Sequence, residues 1–193
     1  LHRVKKFVIL NLKGRKNKMG YTHYWGFNSP ERKKGAADAA QKAYVKAVED
    51  CQRVIRAYQR QAGSAERLSG YSAHTKIGKY AGIQLNGKGD LAHESFDLRE
   101  HFRQAHEANG YGWVGRGSNF CKTARKPYDI VVVACLCILK YRLRGLINVG
   151  SDGDQQDWQA GAGFAAHVLK RKIEVPKSIR AVSWPTYLKG GVK

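Results

Sequence analysis

Methionine is almost missing from this chain: among 193 residues there is one, Met19. It opens the string Met19-Gly20-Tyr21-Thr22-His23-Tyr24-Trp25, and the residues ahead of it hold seven Lys/Arg and no acid. Gly14-Arg15-Lys16 back-translates to a purine-rich run of the kind that precedes a bacterial start codon. Residues 1–18 are therefore expected to be a translated upstream leader, with a basic arm as the alternative, and are set aside from fold reasoning. Acids are also scarce, 15 Asp+Glu against 35 Lys+Arg. Of the formal charge of +20, residues 1–18 carry +7 and residues 170–193 carry +6, which leaves +7 for the middle. A charge concentrated at the two ends weakens the inference to nucleic acid that a uniformly basic domain would support. The middle suits a phosphorylated small molecule equally well.

Two further absences narrow the class. The four cysteines, Cys51, Cys121, Cys135 and Cys137, lack the paired spacing of a zinc site or of a small disulfide framework, so free buried thiols in a reducing cytoplasm are expected. No apolar run approaches a membrane span, and Phe7 to Leu10 is too short for a secretory signal. The expectation is a cytoplasmic protein with no membrane partner. What is present is globular: 42% apolar residues with ten Tyr and four Trp, enough to build one core.

Periodicity supplies the elements. Tyr21–Phe27 alternates as a strand. Ser29-Pro30 offers a cap and a preset first turn for a helix whose apolar stripe is Ala40, Tyr44, Ala47, Val48, Cys51, Val54, Ile55 and Tyr58, ending near Gly63 with Arg53 and Arg60 on its exposed side. Residues 63–80 read as loop, Ala81–Leu85 as a strand, and Ser95–Leu98 as its hairpin partner. Residues 99–119 are irregular. The formal G-x-G-x-x-G at Gly110, Gly112 and Gly115 has neither a buried strand before it nor a helix after it, so it is not a dinucleotide fingerprint. A strand ending at Lys122 leads through a basic turn to a helix entered at Pro127 and apolar on nearly every side. Leu146–Gly150 reads as a strand and Asp154 as the cap of a helix running through Leu169. The fold class expected is α+β, a single domain with a small, mainly antiparallel sheet packed by about three helices. Its bounds are 19–170, with 171–193 as a basic tail.

The chemistry concentrates where the basic turn meets a helix start. Lys122, Thr123, Arg125 and Lys126 lie beside backbone N–H groups that have no helical partner and beside the positive end of the helix dipole, an arrangement that suits phosphate or carboxylate. No Walker-type glycine loop accompanies them. Asp152 and Asp154 carry oxygens suited to a divalent cation, but the spacing is not that of an EF-hand, and Asp-Gly is also a turn signal. His23, on an alternating strand beside Tyr21 and Trp25, reads as a hydrogen-bonded core histidine, since no Ser-His-Asp order and no H-E-x-x-H helix points to catalysis.

Met19 to Trp25, Ile83-Gln84-Leu85-Asn86-Gly87, Glu94-Ser95-Phe96, Phe120 to Asp129 and Ser151-Asp152-Gly153-Asp154 with Trp158 resemble a family of small hypothetical proteins of tailed phages and prophages. That resemblance implies an origin and no mechanism. A single sheet would gather the polar ends of three strands into one cleft holding Tyr21, His23, Glu94, Lys122, Arg125, Tyr128, Asp129 and Asp152. The leading expectation is a phage accessory protein that binds an anionic, nucleotide-like ligand through Tyr21, His23, Trp25, Lys122, Thr123, Arg125, Lys126 and Tyr128, without a cofactor. One alternative is a phosphohydrolase or nuclease with Mg²⁺ held by Glu94, Asp129, Asp152 and Asp154. Another is a nucleic-acid-binding protein that uses its basic termini. Oligomeric state is not encoded in any of these features.

Overall fold

The computed structural model describes residues 20–30, 33–76, 80–98 and 118–179. Residues 1–18, expected to be a leader or basic arm, the glycine-rich stretch at Gly110–Gly115 and residues 180–193 of the expected basic tail lie outside them. Among the described residues the chain is an α+β domain of three helices and two three-stranded antiparallel sheets. In order along the chain, β1 is Thr22–Phe27, α1 Ala36–Gln61, β2 Ser69–Lys76, β3 Tyr80–Asn86, β4 Phe96–Leu98, β5 Ser118–Lys122, α2 Asp129–Leu143, β6 Ile147–Ser151 and α3 Gln155–Leu169. The first sheet has the order β5-β1-β6 and the second β2-β3-β4.

The helix α2 is the centre of the core because its sequence leaves no polar side to expose. Every residue from Asp129 to Leu139 is buried, and α1 packs on it from one side and α3 from another. An all-round apolar helix needs that enclosure. The amphipathic α1 buries the predicted stripe from Ala40 to Tyr58. It starts behind Gly35, whose φ of 81° is left-handed, and not at Ser29-Pro30. The physical reason is that its first fully buried residue is Ala40, so an earlier turn would have no core contact to hold it. In α3, Gly161 sets how closely two helices approach: a Cβ there would stand 2.4 Å from Val133 Cγ1. Asp154 caps α3 with a reciprocal capping box to Asp157.

Two further features differ from expectation. Residues 69–76 form the edge strand β2 where loop was expected; Ser69-Gly70-Tyr71-Ser72 carries no apolar period, and its place comes from backbone pairing with β3. Residues 171–179, grouped by charge with the tail, pack on the domain. Ile173 and Ile179 are buried, Ser178 Oγ donates to Val149 O at 2.8 Å, and Gln155 Nε2 donates to the carbonyls of Pro176 and Ile179 at 3.0 and 2.7 Å. The buried Asp50 of α1 draws three guanidiniums together, those of Arg53, of Arg142 at the end of α2, and of Arg171 just past α3, at 3.5, 2.5 and 3.2 Å. The two sheets meet where the Trp25 ring of β1 lies 5.0 Å from that of Phe96 in β4. No helix among the described residues is long and apolar enough to cross a membrane.

Candidate functional site

The three strands expected to converge do so in one sheet. β1 is its middle strand, with Thr22, His23, Tyr24 and Trp25 opposite Lys122, Cys121, Phe120 and Asn119 of β5. On the other side His23, Tyr24 and Trp25 face Ser151, Gly150 and Val149 of β6. Alternation then sorts these residues onto two faces. The inner face carries Cys121, His23 and Ser151 in one row, with the Trp25 ring beyond. The outer face carries Phe120, Tyr24 and Gly150 in one row, and Lys122, Thr22 and Asp152 in the next.

The inner row ends in a buried polar relay. His23 Nε2 lies 2.7 Å from Asp129 Oδ1, and Thr123 Oγ1 donates to the same oxygen at 2.5 Å. A carboxylate accepting from Nε2 places the imidazole proton there and leaves Nδ1 to accept from the Ser151 hydroxyl, 3.0 Å away. Ser151 Oγ in turn accepts from Gly153 N at 2.9 Å. The imidazole is walled edge-on by Tyr21 and Trp158, with ring centroids at 4.9 and 5.2 Å. Asp129 thus has two tasks, since it also stands in the first turn of α2 and complements its dipole. His23 is fully buried, as expected of a core histidine, and the relay locks three strand ends to a helix start.

The basic turn is held as firmly. Ala124 and Arg125 both take left-handed backbone, φ 48° and 58°, which costs a non-glycine residue about 1–2 kcal/mol. That turn delivers the Arg125 guanidinium to two partners. It donates to both carboxylate oxygens of Asp157 at 2.7 and 3.0 Å, and it lies 3.8 Å from the centre of the Tyr21 ring. The bidentate bond to Asp157 raises the Arg125 pKa further, against a smaller opposing effect of burial. Lys126 Nζ donates to Asp90 O at 2.9 Å. Tyr128 is buried, its hydroxyl donating to Glu94 O at 2.7 Å, and burial pushes its phenol well above the usual range.

The four carboxylates considered for a metal each answer a nearby donor. Glu94 accepts from Lys122 N at 2.6 Å. Asp129 serves the relay. Asp152 accepts from Thr22 N at 3.0 Å and from the Tyr24 hydroxyl at 3.2 Å, and Asp154 caps α3. Among the described residues no three His, Cys, Asp or Glu side chains gather around a point where a cation would sit.

Of the rings expected to stack on a ligand, Tyr21 and Trp25 are 1% and 3% exposed. They are corrected to core residues, both packed inside the molecule: the Trp25 ring lies on Phe96 of the second sheet, and the Tyr21 ring lies against the His23 imidazole, the Arg125 guanidinium and Gly153. The outward rings are Tyr24, half-buried, and Phe120, 46% exposed. Neither was a candidate from the sequence, although Tyr24 stands out of phase with Tyr21, His23 and Trp25. Thr123 is likewise fully buried, while Lys122 is half-buried with no ion pair among the described residues. No protein-family model, curated protein or solved structure matches this chain.

Proposed function

We propose that the outer face of the β5-β1-β6 sheet binds a nucleotide-like, phosphate-bearing ligand, and that the protein acts by holding it. The observation that carries this reading is an aromatic row across the three strands, Phe120 and Tyr24 beside Gly150, next to a polar pair, Lys122 and the buried Thr22, with Asp152 just past β6 beside them. A half-exposed ring on an open sheet is a platform for a base, since every base has a π-face and stacking on a protein ring is sequence-tolerant. Gly150 adds no side chain, so the space beside Tyr24 stays open. One row away, the Lys122 ammonium is available to a phosphate. Asp152, fixed by Thr22 N and the Tyr24 hydroxyl, accepts from a ribose hydroxyl or an exocyclic amine. Arg125 and Thr123 support this face from beneath, through Asp157 and Asp129. On this reading a phage setting in the host cytoplasm supplies nucleotides at high concentration.

Titration calorimetry with nucleoside monophosphates, the matching nucleosides and inorganic phosphate tests it. Phe120→Ala should weaken nucleotide and nucleoside alike by about 1–3 kcal/mol, the range for loss of one base stack. Lys122→Ala should weaken the nucleotide and spare the nucleoside. Equal binding by wild type and both variants, or no binding across the panel, overturns the proposal.

A further inference from the structure

The solvent side of α1 carries a second cationic feature, separate from the sheet. Its exposed positions Lys42, Lys46, Glu49, Arg53, Arg56 and Arg60 follow alternate steps of four and three, which aligns them in one straight stripe. The stripe is about 27 Å long at the α-helical rise, and Glu49 is its one acid. It runs into a cleft of about 500 Å³ lined by Arg56, Gln59, Arg60, Arg67, Leu68 and Tyr71. Among the described residues no carboxylate lines that cleft, and its three arginines, all exposed, form no ion pair.

Arg67 does not arrive there by accident of a loose loop. Tyr58 Oη donates to Glu66 O at 3.1 Å, and Leu68 N donates to Gln59 Oε1 at 3.2 Å. Both bonds tie the segment flanking Arg67 to α1, so the fold holds a third guanidinium beside two others at an electrostatic cost. The C-terminal end of the helix dipole favours Arg60, but it does not account for the convergence of all three. A planar guanidinium with five donors in a fixed fork matches the oxygens of a phosphodiester. The stripe exposes no Leu, Phe or Trp to insert among acyl chains, so a lipid surface suits it poorly.

We infer that the Lys42–Arg60 stripe and the Arg56/Arg60/Arg67 cleft dock the phosphate backbone of a nucleic acid. The full chain is measured by fluorescence anisotropy against single-stranded and duplex oligonucleotides over a salt series. The Arg56→Ala/Arg60→Ala/Arg67→Ala variant is compared with Lys88→Ala/Lys170→Ala/Lys177→Ala, which removes the same charge from exposed positions elsewhere. The arginine variant should lower the slope of log K against log salt on duplex by about 2–3, at about 0.9 per lost phosphate contact. The lysine control should change it much less, and neither should lower Tm. Equal loss in both variants assigns binding to overall charge and overturns the inference. So does unaltered binding by the arginine variant, absence of binding by wild type, or arginine-dependent binding to phosphatidylserine vesicles without binding to oligonucleotides. Since the base-stacking face is untouched by these substitutions, mononucleotide affinity should be unchanged whichever way this test falls.

Discussion

Asp129 is the residue on which the inner relay turns. Its one Oδ1 oxygen receives both the His23 imidazole and the Thr123 hydroxyl, in a site where water does not replace a lost partner. Asp129→Ala would leave two buried donors unanswered and should cost about 3–5 kcal/mol, as breaking a buried polar pair from one side does. Thr123→Val removes a donor and keeps the shape, so it should cost only about 1 kcal/mol. Urea denaturation of the two variants measures the difference, and equal costs would mean that the relay is not where the energy lies. Arg125 belongs to the same scale. With both Asp157 and the Tyr21 ring holding it, its substitution disturbs the α3 cap as well as the sheet, which makes Lys122 the cleaner probe of the ligand binding proposed above.

At the scale of elements, close approach decides more than propensity. Gly161 lies in the middle of α3, where glycine is a poor helix former, and is explained by Val133 and Ala134 of α2 standing within 3.0 Å of where its Cβ would be. Gly161→Ala should therefore destabilise by about 1–3 kcal/mol as α3 is forced off α2, although alanine raises helix propensity by about 1 kcal/mol. A thermal melt reads the sign directly, and a rise in Tm would show that the two helices can shift apart at little cost. Gly153 is a second such contact, since a Cβ there would meet the Tyr21 ring and hydroxyl at 2.6 and 2.4 Å. The Asp-Gly turn after β6 is thus fitted to the aromatic wall of the relay as well as to chain reversal.

For the whole molecule, the buried thiols and phenols fix how stability answers to alkali. Burial pushes the Cys121 thiol up to about 12, and burial likewise raises Cys51, Cys137, Tyr44, Tyr58 and Tyr128. In the unfolded chain these groups ionise near about 8.5 for thiols and 10 for phenols. Above those values the unfolded state has released protons that the native state still holds, so stability is intact below them and falls as pH rises. The urea midpoint should stay level from about pH 7 to 8 and decline between about pH 9 and 11. A midpoint that does not move up to the end of that range contradicts the burial of these groups.

Much of this architecture was legible in the residues. The apolar stripe of α1, the all-apolar α2 and the Asp154 cap each follow from local spacing, and the three strand ends were expected to meet. What could not be read there is relational. Ser69–Lys76 shows no period because β3 dictates its conformation, and the outward position of Tyr24 depends on which side of the sheet the helices cover. The bond from Arg125 to Asp157 joins positions 32 apart in the chain, and neither residue type announces the other. The same limit applies to the cleft at Arg67, where the sequence showed exposed arginines on α1 but not the loop that brings a third one to them.

The central place of β1 also sets an order of assembly. His23 waits for Ser151, 128 residues downstream, whereas β2 and β3 are near neighbours and can zip as soon as both have left the ribosome. Contacts this distant form late because loop closure must precede them. In the nascent chain β1 therefore stays unpaired until Ser118–Lys122 of β5 and Ile147–Ser151 of β6 have been made. The β5-β1-β6 sheet is complete only when β6 has emerged and paired with β1, which makes β1 the segment on which a chaperone would have most to do.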